Sequence, residues 1–226
     1  MLTLTRRLGE RIVIGSNIEV EVVHLSSGRV RLGIRAPRSL PVHRGELVDR
    51  IEAENLRAST ERAKGLAAEP IRREGSSVLT FPEGLFGMRD QHEFLLCELE
   101  EQPLIAGGVA DSLTLRALVC VENPMLRLLV VDVLTIHPEF PLSKARAAAN
   151  LLEEVAVAAI VTVPSSGDDV TVNLVAPLVI GLESRRGAQV IVDEEGLDVG
   201  HPILAAPSER EGGARAEAGQ RSGHGV

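Results

Sequence analysis

The sequence is poor in aromatic residues: its 226 residues include no Trp, no Tyr and four Phe. Proteins that bind single-stranded nucleic acid by stacking its bases use rows of exposed aromatic side chains. A row of this kind cannot be built from four phenylalanines. Any binding of nucleic acid by this chain must therefore rest on hydrogen bonds and charge.

Cysteines and long apolar runs are also scarce. The two cysteines, Cys97 and Cys120, each lie in an apolar run, which predicts buried, reduced thiols. No apolar run approaches the length of a membrane span, and Arg6, Arg7 and Glu10 interrupt the start of the chain where a signal peptide would need an apolar segment. These absences predict a soluble, cytoplasmic protein with no membrane partner.

The residues that carry catalysis or bind metals are scattered. None of the six histidines has metal-ligand spacing to a cysteine or carboxylate. Acidic clusters at 168–169 and 193–195 lie in predicted turns and are typical of solvated loops. The glycine pairs lack the flanking residues of a phosphate-binding loop. We predict no enzyme, no catalytic residue, no metal and no cofactor, although a nucleophile and base brought together only in space stay an open alternative.

The net charge of −8 is unevenly distributed along the chain. Residues 1–64 hold 12 Lys and Arg against 8 Asp and Glu, a net of +4. Residues 65–204 hold 9 against 21, a net of −12, and residues 205–226 are neutral with 3 of each sign. This asymmetry predicts a basic module joined to an acidic one, with surfaces that could complement each other.

The first 43 residues have the pattern of short β-strands. Ile18, Val20 and Val22 alternate with glutamates, and arginines alternate with apolar residues over 29–35, which is the period-2 pattern of half-buried strands. We expect five strands, then a helix from about Arg44 to Lys64. So small a module cannot bury much surface alone, so we expect an obligate homodimer.

This module resembles the carbon storage regulator (CsrA/RsmA) family of RNA-binding translational regulators. The resemblance lies in MLTLTRRLGE at 1–10, IG at 14–15, VRLG at 30–33, AP at 36–37, VHR at 42–44 and Glu46. It implies an intertwined dimer with two equivalent sites, each expected to bind a GGA in the hairpin loop of an mRNA leader. The implied site joins residues of one chain to residues of its partner: Leu4, Arg6 and Arg7 with Val42, His43 and Arg44. The chemistry agrees, because guanine offers acceptors that suit arginine and phosphates attract cations.

A second domain is predicted over residues 78–204. A proline- and glycine-containing segment at 65–77 precedes it and is best interpreted as a linker, with a first strand starting near Ile71 as the alternative. Many short apolar strands and one helix, expected over 142–154, predict a small antiparallel β-barrel or sandwich. The tail at 205–226 has no apolar periodicity, and we expect it to be disordered. The whole chain is thus predicted to be mainly β, with two domains.

The second domain resembles the flagellar assembly factor FliW. The resemblance lies in FPEGL at 81–85, AIVTVP at 159–164, TVNLVAPLVI at 171–180 and QVIV at 189–192. It implies binding to flagellin and antagonism of the carbon storage regulator, by a contact expected at Asn55, Leu56, Ala58 and Arg62. Whether that contact forms within a chain or across the dimer is open. As alternatives, the first module is a constitutive RNA-binding regulator with a passenger flagellin-binding domain, or a dimerisation scaffold only.

Overall fold

The structure is a computed structural model, and it describes residues 1–37, 39–66, 71–99, 113–164 and 170–203. Side chains are described for all of these except 60–66 and 71–76. The predicted linker is described only in part, and the predicted disordered tail lies outside the described residues. The chain divides into two compact units, Met1–Gly45 and Glu46–Val226. The boundary falls after the first residue of the helix that begins at Gly45, whereas the sequence predicted a first domain that ends at residue 64.

The first unit is a three-stranded antiparallel sheet in the order β1-β2-β3. The strands are β1 (Arg11–Ile14), β2 (Ile18–Ser26) and β3 (Arg29–Arg35). The β2–β3 turn places Gly28 at a φ of +74°, a backbone conformation that glycine adopts without steric cost. A register shift between Val22 and His24 marks a bulge in β2.

Two of the five strands predicted for this unit have no strand structure in the single chain. Residues 2–5 and the described residues between 37 and 41 form no β-ladder. A strand requires a hydrogen-bonded neighbour, and the resemblance assigns these two segments to a pairing between different chains. The single chain therefore forms only the three central strands.

The helix α1 (Gly45–Leu66) follows the first sheet. Glu46 lies in its first turn, where a negative charge is stabilised by the helix dipole. Leu47, Val48 and Ile51 form an apolar stripe along the helix. From Glu46 onward this helix belongs to the second compact unit.

Over its described residues, the second unit is built on a nine-stranded sheet, and its mainly β fold confirms the predicted class. Its strands are β4 (Ile71–Thr80), β5 (Glu93–Leu99), β6 (Arg116–Cys120), β7 (Arg127–Asp132), β8 (Val155–Thr162), β9 (Thr171–Val172), β10 (Leu178–Gly181), β11 (Gly187–Gln189) and β12 (His201–Pro202). The main path runs β11-β10-β8-β7-β6-β5-β4, and β9 pairs with β8 and β12. A bridge between Thr80 and Arg186 joins the two ends of this path, so the sheet closes as a barrel. The start of β4 at Ile71 agrees with the alternative for the linker segment.

Two helices in this unit differ from the sequence prediction. The sequence predicted one helix in this domain, and a second, short helix, α2 (Val133–Ile136), precedes it, because Asp132 caps it by accepting a hydrogen bond from Leu134 N at 2.7 Å. The next helix, α3 (Leu142–Ala149), is shorter than the expected 142–154. It ends at Asn150, whose φ of +54° is a left-handed C-terminal conformation.

The central strands of the barrel are buried on both faces. Along β6, Ala117 and Val119 belong to one apolar cluster, whereas Leu118 and Cys120 belong to another. Burial on both faces explains why these strands are continuous apolar runs rather than alternating ones. The two free cysteines are buried, and Cys120 Sγ donates to Gln91 Oε1 at 2.8 Å.

Candidate nucleic-acid surface and helix-docking groove

The N-terminal candidate residues are held by a turn on the first sheet. Gly9 N donates to Val22 O at 2.8 Å, and Val22 N donates to the carbonyl of Glu10 at 3.1 Å. The Glu10 carboxylate accepts from Arg7 N at 2.8 Å. Arg6 and Arg7 are exposed next to this turn, and Leu4 is 43% exposed. The turn thus fixes the backbone beside the two arginines and leaves their charges in solvent.

The second group of candidates directly precedes α1. Val42, His43 and Arg44 are all exposed, and Gly45 begins the helix. The structure places both groups in the first unit, each with its side chains at the surface. Their assembly into one RNA site across a dimer stays a prediction.

The polar face of the first sheet is rich in arginine. Glu19 accepts from Arg11 at 3.3 Å and from Arg35 at 3.0 Å, so one carboxylate lies between two cations. Arg29 and Arg31 extend the same face along β3 and are exposed. The face keeps a net positive charge, which attracts the phosphates of a nucleic acid.

The opposite face of this sheet is apolar and uncovered in the single chain. Ile14, Val30, Leu32 and Ile34 are between 46% and 55% exposed. Among the described residues up to Gly45, Val22 alone is buried. An apolar surface of this kind marks an interaction face.

The second unit has a groove that holds α1. We define the docking groove by the residues of the barrel domain that form one buried apolar cluster with the helix: Phe86, Val175, Ala176, Ile191 and Val199. The helix contributes Leu47 and Ile51, which are 8% and 0% exposed. Two turns further on, Ala58 is 2% exposed and belongs to the cluster of Phe81 and Phe94. The helix is thus part of the hydrophobic core of the second unit.

A pair of amide side chains lies in the middle of this apolar contact. Asn55 is fully buried, and its Nδ2 donates to Phe86 O at 3.0 Å and to Gln189 Oε1 at 2.9 Å. Gln189 Oε1 also accepts from Phe86 N at 2.9 Å, and its Nε2 donates to Ala176 O at 2.9 Å. Burial of polar groups is tolerated because each of these atoms has a partner.

A glycine lets the helix approach the barrel closely. Gly87 has a φ of +77°, and a Cβ built on it would lie 3.1 Å from Glu52 O and 3.3 Å from Leu56 Cγ. These distances are tighter than ordinary van der Waals contact, so any larger residue would press on the helix backbone. Gly87 therefore serves both the turn and the close approach.

The rim of the groove is polar. Arg50 of the helix pairs with Asp198 at 2.9 Å, and both side chains are 61% exposed. Partial burial opposes ionisation of Asp198, but hydrogen bonds from Val199 N and Arg50 hold the pKa of its carboxyl below the ordinary value. An ion pair this exposed adds little to affinity.

The four expected contact residues are placed differently by the structure. Asn55 and Ala58 are buried, whereas Leu56 is 45% exposed with its Cγ beside Gly87. The side chain of Arg62 lies outside the described residues. Sequence reasoning missed Ile51, Gln189 and Gly87 as contact residues. Their only signals were the apolar stripe of the helix, a polar residue at the start of an apolar run, and a glycine in a turn.

The described residues also lack a membrane-spanning helix and a group of metal ligands. No helix among them is long and apolar enough to cross a bilayer. Within the same part of the chain, no three His, Cys, Asp or Glu side chains are grouped as metal ligands.

Known proteins match the two parts of the chain separately. The family model CsrA, described as a global regulator protein family, matches residues 1–53. The translational regulator CsrA of Desulfitobacterium hafniense is 52% identical over 59 residues, which cover 26% of this chain and 77% of that protein. The CsrA of Thermotoga petrophila is 46% identical over 59 residues, which cover 26% of this chain and 71% of that protein.

The FliW protein family model matches residues 65–203. The chain belongs to both the CsrA and the FliW families. The flagellar assembly factor FliW of Caldanaerobacter subterraneus is 28% identical over 132 residues, which cover 56% of this chain and 82% of that protein. A crystal structure of the flagellar assembly factor FliW has a TM-score of 0.46 at 24% identity, and covers 58% of this chain and 88% of that chain.

Each of the two family matches has one boundary inside α1. The CsrA match ends at residue 53 and the FliW match begins at residue 65, and both positions lie within the helix Gly45–Leu66. The helix therefore starts as part of the CsrA module and is packed in the core of the FliW domain. The protein is a fusion of a CsrA translational regulator with a FliW flagellar assembly factor.

Proposed function

We propose that this protein is an mRNA-binding translational regulator whose FliW domain restrains its own CsrA module. One observation carries the proposal: α1, which begins directly after Arg44, is docked in the FliW domain with Ile51 and Asn55 fully buried. The docked helix ties an acidic domain to the chain right after the candidate RNA residues. An anionic domain on the same chain repels RNA.

The RNA site proposed for the CsrA module binds GGA in the hairpin loops of mRNA leaders. Arg6, Arg7 and Arg44 provide cations for phosphate and guanine, and Leu4, Val42 and His43 complete the site. Exposed loop bases can be recognised through hydrogen bonds without aromatic stacking. Action on mRNA places the protein in the cytoplasm, and no catalytic step is part of this function.

The functional unit is proposed to be a homodimer. The uncovered apolar face of the first sheet supports this, because a module with so little buried surface needs a second copy to form a core. A dimer also supplies partners for the two predicted strands that remain unpaired in the single chain. Analytical ultracentrifugation of the full chain should give twice the chain mass of 24.2 kDa; a monomer at micromolar concentration would contradict the dimer.

Tethering makes the restrained state the default. A short flexible tether gives an effective concentration on the order of mM. If the separate domains bound with a Kd of ~1 μM, the docked state would be favoured by about 10³, or roughly 4 kcal/mol. RNA binding would then stay weak until a ligand captured the FliW domain, and we propose flagellin as that ligand.

Titration of a GGA hairpin RNA into the full chain, with and without flagellin monomer, tests the proposal. We expect weak RNA binding alone and tighter binding when flagellin is present. A hairpin with the GGA replaced by CCA controls for nonspecific binding, at the same salt concentration. Equal affinity with and without flagellin would contradict flagellin as the releasing ligand.

A further inference from the structure

The contact between α1 and the docking groove is apolar except at its centre. The apolar side chains of the helix, at 47, 51 and 58, contact a wall of phenylalanine, valine, isoleucine and alanine. Contacts of this kind accept many amphipathic helices, because aliphatic side chains of similar volume replace one another at small cost. Selection of one helix must therefore come from the polar centre, where Asn55 meets Gln189.

The hydrogen bonds at this centre determine which side chain fits at position 55. Gln189 Oε1 and Phe86 O are both acceptors, and both accept from Asn55 Nδ2. A primary amide can donate two hydrogen bonds from one nitrogen, whereas a carboxylate donates none and leucine has no polar atom. An aspartate would bring a negative charge against two acceptors, and a leucine would leave Phe86 O without its partner.

The orientation of Gln189 is fixed independently of the helix. Its Oε1 accepts from Phe86 N and its Nε2 donates to Ala176 O, each at 2.9 Å. These two bonds belong to the FliW domain, so the oxygen faces the groove before any helix is considered. A preorganised acceptor selects among ligands more strongly than one that can rotate.

The amide pair also fixes the register of the helix. Shifting α1 by one turn would place Ile51 or Ser59 opposite Gln189 instead of Asn55. Isoleucine offers no donor, and the hydroxyl of Ser59 already donates to Leu56 O at 2.8 Å. A single buried polar pair can define one register in an otherwise permissive apolar contact.

We propose that Gln189 is the residue by which the FliW domain selects its helix. The class of ligand is an amphipathic helix with a primary amide four residues after a buried isoleucine and three residues before a small residue. This inference rests on the proposed function, since it names the feature of the docked helix that is recognised. Gln189 acts as a specificity-determining residue, and Gly87 only makes room.

A double-mutant cycle in the full chain tests this selection. The variants are Asn55→Leu, Gln189→Met and their combination, each close in shape to the residue it replaces. The readout is hydrogen exchange of the α1 backbone amides over 46–58, because an undocked helix of this length is only marginally stable and exchanges rapidly. We expect each single variant to raise this exchange by ~10-fold or more. We expect Asn55→Leu to have a much smaller effect when Gln189 is already Met.

The control pair is Arg50→Ala and Asp198→Ala, at the exposed rim of the same contact. These should change α1 exchange by less than ~5-fold, because exposed ion pairs contribute little. If the effects at 55 and 189 simply multiply, the two side chains do not act as a pair and the proposal is overturned. Exchange over β6 and β7 reports whether the barrel itself remains folded.

A second set of variants, at position 55, tests the proposal even if Gln189→Met unfolds the barrel. Asn55→Asp alters only a helix residue, and it should open α1 at least as much as Asn55→Leu. Protection equal to the wild type in Asn55→Asp would overturn selection of an amide. RNA affinity is measured separately on the same variants. An opened helix with unchanged RNA affinity would contradict the proposed function but leave the selection by Gln189 standing.

Discussion

Replacing Gly87 by alanine tests the close approach of α1 to the FliW domain. The new Cβ would lie 3.1 Å from Glu52 O and 3.3 Å from Leu56 Cγ, and both contacts are with the helix. Overpacking of this kind costs about 1–3 kcal/mol. A further ~1–2 kcal/mol arises from the φ of +77°, which L-residues rarely adopt.

Gly196 provides a matched control for the backbone strain. Its φ is +88°, and a Cβ built on it meets no atom within 4 Å. Gly196→Ala therefore introduces the backbone strain without a new contact. The difference in free energy between the effects of the two variants is the cost of overpacking against the helix. That difference, about 1–3 kcal/mol, corresponds to roughly 5- to 150-fold in the docking equilibrium.

The assay is hydrogen exchange of α1 amides in both full-chain variants, with thermal unfolding measured in parallel. Gly87→Ala should accelerate α1 exchange far more than Gly196→Ala, although both should lower Tm. Equal exchange of α1 in the two variants would show that the helix does not lie against Gly87. The docked arrangement would then be refuted.

Three further predictions concern the core, the RNA site and the response to acid. Ile51→Ala should destabilise docking by about 2–5 kcal/mol, because it leaves a cavity at a fully buried position; unchanged protection of α1 against hydrogen exchange would contradict this. Arg44→Ala should weaken binding of a GGA hairpin by ~1–3 kcal/mol. The measurement is fluorescence anisotropy in a chain that also carries Ile51→Ala, which undocks the helix, and an unchanged affinity would contradict the role of Arg44. Glu153 accepts hydrogen bonds from Ser184 Oγ, Ser184 N and Glu183 N, which lower the pKa of its carboxyl. The stabilising contribution of Glu153 should be present above the ordinary carboxylate pKa and be lost as pH falls through the lowered pKa of the folded protein. The Tm difference between wild type and Glu153→Gln should therefore shrink in acid. A Tm difference that does not depend on pH would contradict this.

Much of the FliW domain could be predicted from local sequence. The apolar runs that form β5, β7 and β8 are recognisable in the sequence, because burial on both faces makes such strands continuous. The short helix α2 was missed because its residues, VLTI, favour strands. The Asp132 cap and the surrounding packing outweigh that preference.

The docking groove could be predicted only in part. The apolar stripe of α1 was visible in the sequence, and Asn55 followed from the family resemblance. Gln189 and Phe86 lie 134 and 31 residues away from Asn55 along the chain, and no local pattern connects them. Gly87 resembled any turn glycine, since its contact with the helix exists only in the folded protein.

The pairing of the first unit's outer segments depends on a second chain. Residues 2–5 have strand-like alternation, yet a strand forms only where a neighbour supplies hydrogen bonds. The sequence pattern therefore predicts what the segment can do in a dimer, and the single chain shows it unpaired. The RNA site that would join Arg6 of one chain to Arg44 of its partner also requires a second chain.

The affinity of the full chain for a GGA hairpin RNA, measured for the wild type and for Ile51→Ala in the same buffer and salt, tests the central claim most directly. We expect Ile51→Ala to bind the RNA at least ~10-fold more tightly, since a loss of about 2–5 kcal/mol at a buried isoleucine raises the undocked fraction of the helix ~30-fold or more. Equal affinity in the two proteins, together with rapid exchange of α1 in the variant, would show that docking does not restrain RNA binding.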